Sequence, residues 1–401
     1  MDLETPKPQP WGMVESPPRL PDSPGLFEFF AGGGMVRAGL GEGWTCRFAN
    51  DFDPAKAAAY RANWGDGALN VGDIAALKAD DLPGTADLMW GSFPCQDLSL
   101  AGAGAGLAGA RSGAFHAFRA LVSELAVQGR APRIVAIENV CGALTSREGR
   151  DFETMCRAWS DLDYVFGSLV INADLFLPQS RPRLFVIAVR SDVDLDPTLI
   201  LPGPRDPFHP ASLRRAADRL PPDVAQSMVW WRLPGPAAEP PRLAELAEPD
   251  ANIVRWHSET QTAQLLAMMS PANRAKIDAA RRAEGRQVGA LFRRTRTGPD
   301  GIRAQRAEVR FDRAGCLRTP GGGSSRQTLV VVEAGRVRTR LMTARETARL
   351  MGLPDDYRLP ASYGAACHLT GDGVAVPVVR HLARCLFEPL LRGPAAALRA
   401  A

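Results

Sequence analysis

Three things are scarce in this chain of 401 residues, and each scarcity excludes something. No apolar run reaches the roughly 18 residues a membrane span requires, so no segment is read as crossing a bilayer. The seven cysteines, at 46, 95, 141, 156, 316, 367 and 385, are odd in number, scattered and never spaced as CxxC. That argues against a disulfide scaffold and against a structural zinc site; no metal is expected, and a reducing cytoplasm suits the pattern. Lysine is the third scarcity: only four of the 48 basic residues are lysine. The opening MDLETPKPQPWGMVESPPRLPDSPG is Pro-rich and polar, unlike a secretion signal, and residues 1–24 read as a flexible tail.

Hydrophobic residues make up 45% of the chain, enough for one large or two modest domains. The net charge of +4 is small but uneven. Between Arg274 and Arg318 thirteen basic residues face five acidic ones, a local excess of +8. Abundant arginine alone explains a high count but not an excess over neighbouring acids. A stretch this positive is suited to a polyanion, and DNA is the obvious one. Arg281, Arg282, Arg293, Arg294 and Arg296 are the candidate contacts.

The first half alternates short apolar runs with helical periodicity. Strands are predicted at 25–30, 45–51, 86–93, 133–139, 164–172 and 183–189, with helices at 54–64, 114–128 and 152–162. Such alternation implies a doubly wound, mostly parallel α/β sheet whose ligands lie at the carboxyl ends of the strands. The rhythm stops at 191–336, a stretch rich in Pro, Arg and Ala, which reads as a second, smaller and irregular domain. Helical periodicity returns at 343–353 and 376–392, so residues 337–395 are expected to pack back on the first domain (25–190), leaving 396–401 as a tail. No internal repeat is present.

A Gly-rich turn, FAGGG (30–34), follows the first strand and leads into a helical stretch, where glycines let backbone approach a ligand. Asp51 ends the second strand, nineteen residues beyond Gly32, where an acid would meet ribose hydroxyls. Asp73, in VGDI, ends a third short strand and could accept from an adenine amino group. A dinucleotide would fit this turn as well as an adenosyl cofactor, but Arg37 breaks the full G-x-G-x-x-G. Each acid could equally be a strand-end solvating group or a helix cap.

The chemistry sits on three further strand ends. GSFPCQDLS (91–99) puts Cys95 after Pro94 at the end of an apolar strand. AIENV (136–140) ends the next strand with Glu138, where an apolar sheet needs no carboxylate. QSRPR (179–183) places Arg181 and Arg183 two apart at the start of another strand. A thiol, a carboxyl and two guanidinium groups then share one crevice. Cytosine C5 is a poor nucleophile until something adds to C6, and a thiolate in a cationic neighbourhood is the natural adding group. A carboxyl shared with N3 and a guanidinium at O2 would relieve charge developing on the ring.

The motifs FAGGG, ANDFD, GDI, GSFPCQ, ENV, QSRPR, RLMTARETARLMGLPDDY and GDGVAVP, in this order, resemble those of the bacterial and phage-type DNA (cytosine-5) methyltransferases over residues 25–190 and about 316–385. The resemblance implies the fold of S-adenosylmethionine-dependent methyltransferases, with a target-recognition domain at 191–336. It implies Cys95 as nucleophile, Glu138 at N3, Arg183 at O2 and Arg181 supporting the Cys95 loop. S-adenosyl-L-methionine would lie against Phe30, Gly32 and Gly34, with Asp51 on its ribose and Phe52, Asp73 and Ile74 about the adenine; Pro94 and Asp372 would border it. Gln96, Ser99 and Arg111 would approach double-stranded DNA, and 99–113, with five glycines from 102 onward, would be a mobile loop that closes over it. A cytosine would have to be flipped from the helix for reaction.

Four positions depart from that pattern. Met35 replaces the second paired glycine of the first motif, Ser112 replaces the glycine after Arg111, and Cys316 stands where many members have a threonine that touches phosphate. Asp372 replaces an asparagine, and a carboxylate near the cofactor's own carboxylate is expected to weaken binding. An RNA-directed relative, a DNA-binding regulator without catalysis and a dinucleotide-dependent oxidoreductase are the alternatives; the last leaves Cys95, Glu138 and both arginines without roles. A monomer in the cytoplasm, bound to the nucleoid, is the expected setting; a cognate restriction endonuclease as partner, a phage setting and gene regulation all stay open.

Overall fold

The computed structural model describes residues 23–93, 113–249, 254–297, 303–319 and 326–393. Seven strands, β1 (Gly25–Phe29), β2 (Thr45–Asp51), β3 (Leu69–Val71), β4 (Leu88–Gly91), β5 (Ile134–Val140), β6 (Tyr164–Asn172) and β7 (Pro182–Arg190), form one sheet in the order β3-β2-β1-β4-β5-β7-β6. Only β7 runs antiparallel to its neighbours, so the sheet is mostly parallel, as the alternating pattern predicts. Its central strands are nearly continuous apolar runs because both faces are covered.

Pleating divides the side chains. On β4, Leu88 and Trp90 join the core under helices Met35–Leu40 and Val376–Leu382, while Met89 joins the opposite core with Phe118 and Trp159 from helices Gly113–Val127 and Arg150–Ser160. Full burial of aromatic side chains of this size contributes about 1.5–3 kcal/mol each. The C-terminal segment therefore returns to the first sheet: Val376, Val379 and Leu382 share a core with Met35, Val36 and Leu40.

Helix Pro54–Trp64 shows how local sequence places the site. Asp53 caps it, accepting from Ala55 N (2.8 Å) and Lys56 N (3.4 Å), proline occupies its first turn, and Gly65 ends it at φ 77°. The preceding loop is thereby fixed at the end of β2.

A second sheet is wholly antiparallel: β10 (Gln287–Thr297), β11 (Arg303–Arg310), β12 (Thr328–Glu333) and β13 (Arg336–Leu341), in the order β11-β10-β12-β13. Helices Glu259–Ala267 and Pro271–Arg282 belong to the same unit, whose core holds Ile277, Leu291, Val309 and Val330. The smaller domain is thus regular rather than irregular. Before it in the chain, the short strand β8 (Ile200–Leu201) pairs with β9 (Trp230–Trp231), which lies against β6, and Leu213, Val224 and Trp231 join the cores of the large sheet.

Candidate functional site

The carboxyl ends of β1, β2 and β5, with the start of β7, converge on one edge of the large sheet. At the end of β1 the backbone turns abruptly: Phe30 (φ 57°), Gly32 (φ 57°) and Gly34 (φ 77°) are all left-handed. For a phenylalanine that conformation is strained, and such strain persists where surrounding structure enforces it, often at ligand sites. A side chain on Gly34 would collide with Trp64, whereas Gly32 faces open space. Gly32 N–H donates to Asp51 Oδ2 (2.8 Å), and Asp53 N–H donates to Asp51 Oδ1 (2.9 Å). Burial raises the Asp51 pKa against the opposing pull of the Asp53 amide and Lys56. Asp51 thus shapes the Gly turn as well as facing the crevice.

Beside it, Phe52 is 65% exposed, an aromatic ring with no core to fill. Ile74 is buried, and Asp73 caps the short turn Ile74–Ala76 by accepting from Ala75 N (2.9 Å). An open glycine, an exposed ring and the carboxylates of Asp51 and Asp73 are groups suited to an adenosyl moiety. Met35 is buried, and a side chain on Gly373 would meet its sulfur, so the departure at 35 is accommodated by the glycine of the last motif. Asp372 is not bare: its Oδ2 lies 2.7 Å from Lys56 Nζ.

Glu138 and Arg183 occupy one face of the sheet, because Arg183 stands opposite Val140 in the β5–β7 register. Arg183 Nε is 3.0 Å from Glu138 Oε1, and both are largely buried. Arg181 is buried as well, and its guanidinium is a clamp: it donates to the carbonyls of Leu317 (2.9 Å), Gly371 (2.9 Å) and Gly373 (2.6 Å). Gln179 adds to it, donating to Leu350 O (2.6 Å) and accepting from Leu317 N (3.0 Å). QSRPR therefore ties β7 to both later segments of the chain.

Two thiols flank this pair. Burial pushes Cys141 up to about 11, despite Arg183, so it is a poor nucleophile. Cys316 sits 3.4 Å from Arg181 Nη1 and 3.9 Å from the Arg183 guanidinium. Burial opposes ionisation there, but these guanidiniums prevail and its pKa falls below the usual thiol value. Pro94, Cys95, Gln96, Ser99, Arg111 and Ser112 lie outside the described residues. Asn139, next to Glu138, donates to Phe93 O (3.4 Å), the last described residue before them.

The five candidate DNA-contacting arginines do not form one patch. Arg281 and Arg282 end helix Pro271–Arg282, which packs on the sheet face carrying Leu291, whereas Arg294 alternates with Phe292 on the opposite face. Arg281 is near Asp278 (3.6 Å), and Arg294 is near Glu308 (3.8 Å) with its guanidinium over Phe292. Arg293 points to the helix-covered side, and Arg296 pairs in register with Ala304. A cavity of about 600 Å³ opens between Lys276, Gln287, Arg310 and Phe311, sharing no residue with the strand-end site.

Sequence reading missed Lys56 and Glu28. Lys56 had one signal, being one of four lysines in an arginine-rich chain. Glu28 is fully buried on β1, near the backbone amides of Val36 and Arg37, yet neither carboxyl oxygen makes a hydrogen bond of good geometry. Burial pushes its pKa up to about 8. Among the described residues no group of three or more His, Cys, Asp or Glu is placed to hold a metal, and no helix is long and apolar enough to cross a membrane.

Comparison with known proteins agrees with this geometry. The chain is 24% identical over 368 residues to Type II methyltransferase M1.ScrFI of Lactococcus lactis subsp. cremoris, covering 91% of this chain and 78% of that protein. It is 25% identical over 394 residues to Type II methyltransferase M.HpaII of Haemophilus parainfluenzae, covering 94% and 92%. Its fold is similar to that of the S. pombe Dnmt2 methyltransferase, with TM-score 0.56, 18% identity and coverage of 92% and 99%. A putative DNA modification methyltransferase encoded within an E. coli prophage gives TM-score 0.52 at 19% identity, covering 92% and 100%. Residues 25–388 match the family of C-5 cytosine-specific DNA methylases, and with the strand-end carboxylate and arginines in place the chain belongs to that family.

Proposed function

We propose that this protein transfers a methyl group from S-adenosyl-L-methionine to C5 of a cytosine flipped out of duplex DNA, through a covalent bond between Cys95 and C6. The observation that carries the reading is the Glu138–Arg183 pair, 3.0 Å apart at the cofactor edge of the sheet. A carboxyl and a guanidinium on one face match the N3 and O2 edge of a cytosine. In this reading Cys95 adds to C6, Glu138 shares a proton with N3, and Arg183 holds O2, so the negative charge entering the ring is spread over two fixed groups. The cofactor supplies an electrophilic methyl group at the activated C5. Loss of the C5 proton then expels the Cys95 thiolate and restores the ring.

Phe30, Gly32 and Gly34 would take the methionine part of the cofactor, Asp51 the ribose, and Phe52, Asp73 and Ile74 the adenine. The open side of Gly32 and the exposed ring of Phe52 support that placement. DNA recognition is assigned to residues 254–341, the unit built on the antiparallel sheet. Within it Arg294 directly opposes Arg306, and facing like charges are unfavourable unless an anion comes between them. A monomeric, cytoplasmic enzyme with a cognate restriction endonuclease as partner belongs to the same proposal.

The test is incubation of the full chain with tritiated S-adenosylmethionine and duplex DNA, RNA or neither. Label is expected in DNA alone, and transfer should fall more than a thousandfold in Cys95→Ser, in the range seen when covalent catalysts lose their nucleophile. Cys316→Ser should retain activity, since Cys316 is held by Arg181. Label in RNA, or turnover surviving in Cys95→Ser but not in Cys316→Ser, would overturn the assignment.

A further inference from the structure

Asp372 is held from two directions. Its backbone neighbours Gly371 and Gly373 both present their carbonyls to the buried Arg181 guanidinium, at 2.9 and 2.6 Å. Its carboxylate meets Lys56 Nζ at 2.7 Å, with the lysine side chain 19% exposed. Lys56 lies in the first turn of helix Pro54–Trp64, and the same ammonium feels the charges of Asp51 and Asp53. Burial works against the lysine's charge, but the carboxylates outweigh it and its pKa is raised. The ion pair thus joins the end of β2, where the cofactor is assigned, to the last motif, where an uncharged asparagine is usual in the resembled family. Lysine offsets the charge of Asp372, so the pair itself adds no net charge at that position.

We propose that the Lys56–Asp372 pair sets the charge of the cofactor crevice and so governs how the protein distinguishes its cationic cofactor from the neutral product. This rests on the S-adenosylmethionine reading above. At neutral pH the cofactor carries a sulfonium and an ammonium against one carboxylate, whereas the demethylated thioether has lost the sulfonium charge. The two ligands otherwise share their adenosine, ammonium and carboxylate, so contacts with those parts cancel in the ratio of affinities. A change of charge in the crevice does not cancel. Unbalanced Asp372 favours the sulfonium; unbalanced Lys56 disfavours it. A change of one unit charge in the crevice is expected to move the ratio on the order of two- to sixfold.

The experiment is calorimetric titration of the full chain at low salt with S-adenosylmethionine and with S-adenosylhomocysteine. The proteins are wild type, Lys56→Met, Asp372→Asn, the double variant and Lys56→Arg. The ratio of product Kd to cofactor Kd is expected to rise in Lys56→Met, to fall in Asp372→Asn, and to return to the wild-type value in the double variant. Lys56→Arg keeps the charge and should leave the ratio unchanged, whatever it does to packing. If the pair were only a strap between two segments, both ligands would weaken together and the ratio would stay fixed in every variant, which overturns the proposal. Wild-type protein that binds neither ligand would instead remove the cofactor reading on which it stands.

Discussion

The two sheets of this molecule treat charge in opposite ways. In the seven-stranded sheet the charged residues lie at strand ends, with Asp51 closing β2, Glu138 near the end of β5 and Arg183 opening β7, while the strand centres are apolar. Glu28, inside β1, is the buried exception, and Arg47, inside β2, an exposed one. In the four-stranded sheet charge runs along the strands: Arg293 and Arg294 on β10, Arg306 and Arg310 on β11, and Arg336, Arg338 and Arg340 on β13. The first pattern belongs to a sheet buried on both faces, whose function is confined to an edge. The second belongs to a sheet with a separate core on each face, Leu291, Val309 and Val330 with Ile277 on one and Val288, Ala290, Leu329 and Val331 on the other, while Arg293, Arg294 and Arg306 stay exposed along its strands.

The comparison breaks most severely at Arg181, where a buried charge of the large domain acts as structure. Replacing it with methionine leaves the carbonyls of Leu317, Gly371 and Gly373 without their shared donor. A loss of about 4 kcal/mol in unfolding free energy is expected, the scale of a buried charged hydrogen-bond network broken on one side. Urea unfolding followed by tryptophan fluorescence measures it. A loss below about 1 kcal/mol would mean that the clamp contributes little and that Arg181 acts on the substrate instead.

The large sheet was legible because its strands are apolar runs bounded by turns; β2 and β6 fall on the predicted residues without shift. The small sheet was illegible for the same reason reversed. β10 reads QVGALFRRTRT, apolar only in its first half, and β13 reads RVRTRL, whose period of two misleads because Arg340 is buried and Leu341 is exposed. Arg340 was equally unreadable: it is fully buried because Glu346 meets it with both oxygens, at 2.6 and 2.7 Å. The capping box from Thr343 to Glu346 is visible in sequence, but a partner six residues upstream of that glutamate is not. The candidate site residues were named from the motifs; Lys56 was not, because its contact with Asp372 lies 316 positions away.

A smaller effect is expected from Glu28, the buried exception in the large sheet. Its folded pKa of about 8 stands above the unfolded value near roughly 4.3. Below both values the side chain is neutral in either state and costs nothing electrostatically. As pH rises between them the unfolded chain releases its proton and the folded chain keeps it, so stability falls until about pH 8, where both are ionised. Glu28→Gln removes this dependence. Its stability relative to wild type should therefore improve by about 3–4 kcal/mol between pH 5 and 8, read from urea midpoints at each pH. A difference that stayed constant with pH would show that the carboxyl is ionised in the folded protein.

The smallest effects, and the ones that test the contrast most directly, belong to the arginines of the small sheet. Arg294 and Arg306 face each other across β10 and β11, with Glu308 3.8 Å from Arg294 as a weak, partly exposed counter-charge. Facing like charges cost a few tenths of a kcal/mol in a sheet, so Arg306→Ala should leave the free protein as stable as wild type or slightly more so. In the presence of DNA the sign reverses. Loss of one phosphate-neutralising arginine should weaken duplex binding at low salt and reduce the slope of log affinity against log salt by about one. Thermal unfolding of the free protein and fluorescence anisotropy on a labelled duplex at several salt concentrations give both readings from one preparation. Residues that oppose folding while favouring binding are the signature of a surface built for a partner. Were Arg306→Ala to lower the unfolding temperature and leave the salt slope intact, its charge would belong to the fold, and the division of labour between the two sheets would have to be redrawn.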